Sequence, residues 1–296
     1  MDEPLTTNSE QGQIAVVTDS TADIPPELAE QLGIQVVANT IVVEGQSLED
    51  GKDLSREDFY TRLPQMKSFP TTATASSGLY QELYERLLGN GYREVLSIHT
   101  SSLLSGIINA ASAAAQAAGS RVHVIDSGAV SMALGFQVLA AAEAARENAA
   151  LETVLKRIED VRRRVRLIAM LDTLEFVRRS GRVSWARARL GELLHVKPFL
   201  EVRGGEVHSL GEARTRRKGT QRLLEFLREL GPLERLAVLH SNAEADARQF
   251  LAQVDQPVER EPLIINITTV IGAHVGPGAL GIAAVSQPAS GSPTQE

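Results

Sequence analysis

Residues 94–118 read EVLSIHTSSLLSGIINAASAAAQAA, and this stretch predicts the unit on which the fold is built. Its apolar start predicts a buried strand, its middle is a loop of hydroxyl side chains that closes on Gly106, and an alanine-rich helix begins near Ile107. A loop that enters a helix in this way presents unpaired backbone N–H groups at the positive end of the helix dipole, where anions bind. The loop is therefore a candidate site for a carboxylate or a phosphate.

The hydroxyls of this loop have a simpler explanation, since serine and threonine are the ordinary N-caps of helices. One cap accounts for one hydroxyl, whereas the loop holds Thr100, Ser101, Ser102 and Ser105. A second hydroxyl-rich loop, FPTTATASSG at 69–78, precedes another amphipathic helix. Two such loops favour one polar pocket lined by neutral donors, and neither loop contains the lysine that phosphate sites often add.

The composition bounds the class of protein. The 296 residues are 43% hydrophobic and 23% charged, as in soluble globular proteins with two domains or one large α/β domain. The acidic, polar start and the lack of a long apolar run lead us to expect no signal peptide, no membrane span and a cytoplasmic location. The absence of cysteine excludes disulfides and thiolate chemistry, and a net charge of −7 argues against nucleic acid as the main partner.

Strand patterns alternate with helix patterns over residues 13–168, which predicts βαβ units and a parallel sheet in a first domain. Polar residues follow three of these strands, at 19–21, 100–105 and 126–127, and the carboxyl ends of parallel strands share one edge. We therefore expect these three segments to share one face. Residues 44–54 are predicted to form an acidic loop.

The second half of the chain predicts a different sheet. A Gly204-Gly205 hairpin turn inside an α/β pattern indicates a mixed sheet, so a second α/β domain is expected over 169–286. A polar leader at 1–12 and a tail rich in Ser, Pro and Gly at 287–296 are expected to be disordered. A helix is also predicted from Ser184.

Three features of this half are candidates for chemistry. The sequence GAHVGPG at 272–278 predicts a glycine-rich turn that carries His274, although a lone histidine is more often a structural group. Arg182 follows a predicted helix end, where the helix dipole favours its charge without any ligand. The cations of RTRRK at 214–218 stand at the start of a predicted helix, the end that repels them. That placement indicates either an anionic partner or a solvated surface.

Several enzyme classes lack their motifs here. The sequence has no glycine motif of a dinucleotide or P-loop site, no histidine spacing of a metal site and no serine-hydrolase elbow. Asp19 and Asp23, after the first strand, match an aspartyl-phosphate nucleophile with its acid partner, but no later acidic pair follows to bind a metal. A phosphotransferase or phosphatase that uses Asp19 is the alternative function.

Several short motifs occur in a fixed order over about residues 14–286, and together they resemble the DegV family of bacterial proteins. They are TDSTAD at 18–23, PTT at 70–72, SSLLSG at 101–106, DS at 126–127, SGR at 180–182, KP at 197–198, RT at 214–215 and HVGPG at 274–278. The chain departs from the family pattern at 73–75, which read ATA where Ser-Gln-Pro is usual, and at Ile107, where threonine is usual. These departures bear on head-group contacts and chain-length preference.

The resemblance implies an N-terminal Rossmann-like domain, a C-terminal α/β domain and a fatty acid held in the groove between them. It implies that threonine and serine hydroxyls bind the carboxylate, that an arginine and a histidine complete the polar network, and that a second arginine lies near the phosphoryl group during transfer. The implied fatty-acid-binding residues are Thr71, Thr72, Ser101, Ser102, Arg182 and His274, and the implied partner-facing residue is Arg214.

The family includes the fatty-acid-binding subunits of fatty acid kinase, so the resemblance implies a carrier rather than an enzyme. A separate ATP-dependent kinase would convert the bound acid to an acyl phosphate for phospholipid synthesis, with no cofactor on the carrier and transient contact with a membrane allowed. Burial of about sixteen carbons would contribute on the order of 12 kcal/mol before ordering costs. A different amphipathic acid in the same pocket stays open as an alternative.

Overall fold

The computed structural model describes residues 14–183, 185–186 and 196–288. The predicted leader at 1–12 lies outside the described residues. So do residues 289–296 of the predicted tail and most of the helix predicted from Ser184.

The strands are β1 (Ile14–Asp19), β2 (Gln35–Val37), β3 (Thr40–Val43), β4 (Gln46–Glu49), β5 (Thr71–Ala73), β6 (Glu94–His99), β7 (Val122–Asp126), β8 (Val165–Met170), β9 (Lys197–Arg203), β10 (Glu206–Ala213), β11 (Leu233–His240), β12 (Leu263–Asn266) and β13 (Leu280–Ser286). The α-helices with described bounds are α1 (Pro26–Leu32), α2 (Arg56–Arg62), α3 (Ser77–Gly89), α4 (Ile107–Ala118), α5 (Met132–Arg146), α6 (Leu151–Arg164), α7 (Glu175–Ser180), α8 (Arg216–Arg228), α9 (Glu244–Leu251) and α10 (Thr269–Val275). Short 3-10 turns cover Ser20–Ala22 and Leu63–Gln65.

The first domain contains a four-stranded parallel sheet in the order β2-β1-β6-β7. β1 and β6 are almost continuously buried, as expected for a parallel sheet with helices on both faces. The ends of β1, β6 and β7 lie at one edge, so the polar segments that follow them share a face as predicted. The Rossmann-like part of the predicted fold is thus confirmed.

The second domain contains a six-stranded mixed sheet in the order β10-β9-β8-β13-β11-β12. Only the β11–β12 pair of this sheet is parallel. β9 and β10 form the predicted hairpin, and its turn places Gly204 and Gly205 at φ values of 60° and 85°, which glycine adopts without strain. β8 begins at Val165, so the predicted division between 168 and 169 falls within this strand.

Helix α5 lies between the two sheets and contacts β1 on one side and β8 and β13 on the other. Almost every position of α5 is buried, which explains why its sequence is rich in alanine and shows no polar face. Small side chains allow both sheets to approach this helix closely.

A third, three-stranded antiparallel sheet in the order β4-β3-β5 was not predicted. The predicted acidic loop at 44–54 was wrong, because it contains β4, joined to β3 by a tight turn with Glu44 at φ 48° and Gly45 at φ 85°. The loop predicted at 69–78 contains β5, in which Thr72 is the register partner of Ile41. Short strands depend on partners distant in sequence, so local patterning does not reveal them.

The prediction of a turn at 272–278 was also wrong in its first half. Residues up to Val275 form α10, and the hydroxyl of Thr268 accepts a hydrogen bond from the backbone N–H of Ile271 at its start. Gly272 lies inside this helix. The position requires glycine because a Cβ there would stand 2.4 Å from the hydroxyl oxygen of Tyr60. Glycine therefore marks a close approach here rather than a turn. No helix in the described ranges combines the length and the apolar character needed to cross a bilayer.

Candidate functional site

A cavity of about 540 Å³ lies between the two domains, within the roughly 300–1,000 Å³ typical of ligand pockets. One wall is a face of the six-stranded sheet. There Leu200, Ala169, Gly281 and Leu239 form one row across β9, β8, β13 and β11, because each is the register partner of the next. This row carries no polar side chain, and its two smallest residues, Ala169 and Gly281, lie at its centre.

The cavity is also lined by polar side chains that come from distant parts of the chain. Thr72 comes from β5, Ser102 from the loop after β6, Arg182 from the end of α7 and His274 from α10. The structure thus brings four of the predicted site residues to one cavity. The cavity is amphipathic, because these polar side chains and the apolar row of the sheet line the same space.

Thr72 and His274 are in direct contact, with 3.3 Å between Thr72 Oγ1 and His274 Nε2. The other ring nitrogen, Nδ1, is buried and has no hydrogen-bond partner among the described residues. Burial, and then the nearby charge of Arg182, lower the pKa of His274 to about 4. The imidazole is therefore neutral at neutral pH and carries one N–H donor.

The two adjacent serines have different environments, which the sequence did not distinguish. Ser101 is 1% exposed, and its hydroxyl donates to the carbonyl of Gly205 at 3.0 Å. Ser102 is exposed and lines the cavity, and its backbone N–H donates to Asp126 Oδ2 at 3.2 Å. The Ser101 proton is therefore engaged within the protein, and of the two serines only Ser102 belongs to the described lining of the cavity. Thr71, beside Thr72 on β5, is exposed and is not among the described residues that line the cavity.

The two predicted arginines also differ. Arg182 lines the cavity, and its Nη1 donates to the carbonyl of Ser180 at 2.8 Å, so it both caps the end of α7 and reaches the site. Arg214 is exposed at the end of β10 and does not belong to the described lining. Its neighbour Arg216 has a structural role, because its Nε donates to Asp246 at 2.6 Å.

Asp19 is fully buried at the end of β1, and the sequence did not predict its partners His99 and Asn39. His99 Nδ1 lies 2.9 Å from Asp19 Oδ2, and Asn39 Nδ2 donates to Asp19 Oδ1 at 3.2 Å. Thr21 also donates to Oδ1 through its backbone N–H, at 3.0 Å, and through its hydroxyl. Burial raises the pKa of Asp19, but the hydrogen bond and charge of His99, with the Thr21 bonds, outweigh it and lower the pKa.

This environment opposes the alternative of a phosphoryl-transfer nucleophile. Both oxygens of Asp19 accept hydrogen bonds, and the side chain is 0% exposed, so no substrate phosphorus can approach it. Within the described part of the chain, no cluster of three or more His, Cys, Asp or Glu is placed to bind a metal ion.

Buried hydrogen bonds from the first half of the chain hold the start of α10. They thereby position His274, which lies on this helix. Asp23 Oδ1 accepts from the Thr268 N–H at 2.7 Å, and Asp23 Oδ2 accepts from the Ser131 hydroxyl at 2.6 Å. The hydroxyl of Tyr60 lies 3.1 Å from the Ile267 carbonyl and 3.2 Å from the Thr268 carbonyl, and it donates toward this pair. Burial raises the pKa of Asp23 to about 6, although the charge of Arg56 opposes that rise.

Comparison with known proteins supports the same family as the sequence motifs. The DegV family model matches residues 13–287. Protein DegV of Bacillus subtilis is 36% identical over 275 residues, covering 91% of this chain and 98% of the relative. A DegV domain-containing protein of Listeria monocytogenes is 34% identical, covering 91% of this chain and 97% of the relative.

Two solved structures have the same two-domain fold. A DegV family protein from Thermus thermophilus, described as binding fatty acid, has a TM-score of 0.85 and 35% identity, covering 93% of this chain and 100% of its own. DegV of Bacillus subtilis, described as a fatty acid binding protein, has a TM-score of 0.82 and 34% identity, covering 94% and 100%. This chain therefore belongs to the DegV family.

Proposed function

We propose that this protein binds a long-chain fatty acid in the interdomain cavity, with the carboxylate on the polar side chains and the acyl chain on the aliphatic sheet face. Thr72, Ser102, Arg182 and His274 are the proposed carboxylate ligands. Ser101 holds the serine loop in place through Gly205, and Thr71 flanks Thr72 on the outer side of β5.

The observation that carries this proposal is that one cavity is lined both by polar side chains and by an aliphatic sheet face. Hydroxyl, imidazole and guanidinium groups line it, together with a continuous row of apolar residues across four strands. Burying a carboxylate costs several kcal/mol, and each hydrogen bond to a charged group returns roughly 1.5 to 3 kcal/mol. Two or three of the four groups therefore suffice to offset that cost. The solved relatives described as fatty-acid-binding support the same class of ligand.

Because His274 is neutral in the free protein, ligand binding should change its protonation. A carboxylate placed beside the imidazole favours its protonated form and would raise the pKa from about 4. Fatty acid binding should therefore be accompanied by proton uptake near and below neutral pH.

Presentation to a kinase is the second part of the proposal. Ser102 and Arg182 are exposed as well as cavity-lining, so a carboxylate bound to them is within reach of a partner while its chain stays buried. Arg214, exposed and outside the described lining, would face the partner and the transferred phosphoryl group. We place this carrier in the cytoplasm, where a separate ATP-dependent kinase would form the acyl phosphate for phospholipid synthesis.

Two experiments test these parts separately. Isothermal titration of delipidated protein with stearic acid and with methyl stearate tests the site, since the ester keeps the chain but removes the charge. We expect the acid to bind at least roughly tenfold more tightly, as one lost charged hydrogen bond implies. Equal affinities would contradict the proposed carboxylate site.

The second experiment incubates protein loaded with radiolabelled oleate with ATP, with and without the catalytic subunit of a bacterial fatty acid kinase. We expect acyl phosphate only when both proteins are present. Product formed by this protein and ATP alone would show that it is itself an enzyme. No product with the kinase would refute the presentation role and leave the binding role intact.

A further inference from the structure

The cavity has a second polar region, at the ends of β1 and β6, and this region has the opposite hydrogen-bonding character. Asn39 and Thr100 line the cavity there, and they are 1% and 2% exposed. The Oδ1 atom of Asn39 is buried and has no hydrogen-bond partner among the described residues. A buried amide oxygen left without a donor is costly, so this atom indicates a missing donor.

The orientation of the Asn39 amide is fixed by its neighbours. Its Nδ2 lies 3.2 Å from Asp19 Oδ1 and 3.4 Å from Ser20 Oγ. An ionised carboxylate can only accept, so a flipped amide would place two acceptor oxygens against each other. Nδ2 must therefore face Asp19, which leaves Oδ1 as the atom without a partner.

The direction of the hydroxyl protons follows from the same carboxylate. The single proton of the Thr21 hydroxyl is donated to Asp19 Oδ1. Thr21 Oγ1 and Thr100 Oγ1 are 2.8 Å apart, so the Thr100 hydroxyl must be the donor in that contact. Thr100 then has no proton left and presents only lone pairs to the cavity.

Asp19 thus acts as a positioning residue, because it fixes the orientation of Asn39 and, through Thr21, of the Thr100 hydroxyl. It accepts from His99, Thr21 and Asn39, and its pKa is lowered by the bonds it receives from His99 and Thr21. A pair of acceptor oxygens with no proton to donate disfavours a carboxylate, which is itself only an acceptor, at this position. It favours a neutral O–H donor instead.

We propose that Asn39 Oδ1 and Thr100 Oγ1 form a second polar subsite of the cavity that binds one neutral O–H group. The inference rests on the proposed function, because it takes the cavity to hold a long-chain fatty acid. The O–H group is either a hydroxyl carried by a hydroxylated long-chain fatty acid, whose single proton would be shared between the two acceptors in a three-centre bond, or a water molecule held beside the acyl chain, which would donate one proton to each.

The test compares stearic acid with a set of monohydroxystearic acids that differ in the position of the hydroxyl. Affinities are measured by titration for the wild type, for Thr100→Val and for Thr74→Val. Both variants replace a cavity-lining threonine by valine, which has nearly the same shape but no hydroxyl. Of the two threonines, only Thr100 is connected to Asp19, through the hydroxyl of Thr21. A crystal structure of the wild type with stearic acid is the second measurement, and it keeps the test decisive if Thr100→Val does not fold.

A ligand hydroxyl predicts that one isomer binds roughly tenfold more tightly than stearic acid, and that Thr100→Val but not Thr74→Val removes this preference. A fixed water predicts no preferred isomer and an ordered water oxygen within hydrogen-bonding distance of both Asn39 Oδ1 and Thr100 Oγ1. No preferred isomer together with no oxygen at that position would overturn the subsite, and so would the stearate carboxylate itself at that position. Failure of every acid to bind would instead refute the proposed function.

Discussion

The hydroxyl of Ser101 donates to the carbonyl of Gly205 at 3.0 Å and so joins the serine loop of the first domain to the β9–β10 hairpin of the second. The two residues are 104 positions apart in the chain. Of the two adjacent serines, Ser101 joins the domains, and only Ser102 belongs to the described lining of the cavity.

This contact predicts different effects of alanine at the two glycines of the hairpin turn. A Cβ at Gly205 would stand 2.7 Å from Ser101 Oγ and 3.3 Å from Leu103 Cδ1, whereas a Cβ at Gly204 meets nothing within 4 Å. Both glycines have positive φ, so backbone strain is common to the two variants. We expect Gly205→Ala to lower the free energy of unfolding by roughly 1–3 kcal/mol more than Gly204→Ala in urea titrations. Equal losses would show that the contact does not join the domains.

The two serines should separate binding from stability. Ser102→Ala removes a ligand donor from an exposed position and should weaken stearic acid binding by roughly ten- to a hundredfold, with little change in the free energy of unfolding. Ser101→Ala leaves a buried carbonyl without its donor and should cost about 1–3 kcal/mol of stability. Titration and urea unfolding of both variants check this prediction. A stronger loss of affinity in Ser101→Ala than in Ser102→Ala would reverse the assignment.

Ala169 should set the length of the acyl chain. It lies on the third strand of a six-stranded sheet, yet it is partly exposed, and it lines the cavity. Ala169→Leu would occupy the room of about three chain carbons, worth roughly 2 kcal/mol of chain burial. We expect the affinity for stearic acid to fall relative to that for lauric acid.

The matched control for this prediction is Ala73→Leu, which adds the same volume at an exposed lining position on β5. It should leave the ratio of the two affinities unchanged. A ratio that shifts equally in both variants would mean that the acyl chain does not lie on the sheet face.

Asp23 and His274 are both buried, and they should make the free energy of unfolding depend on pH in opposite directions. Folding raises the pKa of Asp23 from 3.8 to about 6, so the folded protein binds more protons over that range, and its stability falls as pH rises through it. Folding lowers the pKa of His274 from 6.5 to about 4, so the folded protein binds fewer protons there, and its stability is lost as pH falls from 6.5 to 4. In the wild type the two effects largely cancel between pH 4 and 6.

Single variants should reveal each effect. In Asp23→Asn, the free energy of unfolding should rise with pH between 4 and 6, and in His274→Gln it should fall, each by up to about 1.4 kcal/mol per pH unit. Urea unfolding across this range measures both slopes. Slopes of the same sign in the two variants would be incompatible with the buried environments of these groups.

Local patterns were sufficient for much of the fold. β1, β6 and β7 were predicted because continuous apolar runs alternate with helix patterns, and the polar residues at their ends were expected to share a face. The β9–β10 hairpin followed from Gly204-Gly205. β4, β5 and α10 were not predicted, because their stability comes from pairing and packing with distant segments: Ile41 pairs with Thr72, and Tyr60 packs on Gly272.

The site was predictable only as far as its residue types. The hydroxyl loops indicated an anion pocket, and the resemblance to the DegV family supplied Arg182 and His274. The difference between Ser101 and Ser102 depends on a carbonyl from the second domain, which no local pattern contains. The role of Asn39 depends in the same way on the fixed charge of Asp19.

The most direct test of the central claim is to denature the purified protein, extract it with organic solvent and identify released lipid by mass spectrometry. We predict one long-chain fatty acid in near-stoichiometric amount. A different amphipathic acid would keep the cavity but change its ligand. An empty extract, followed by no uptake of added fatty acids, would contradict the claim that this cavity is a fatty-acid-binding site.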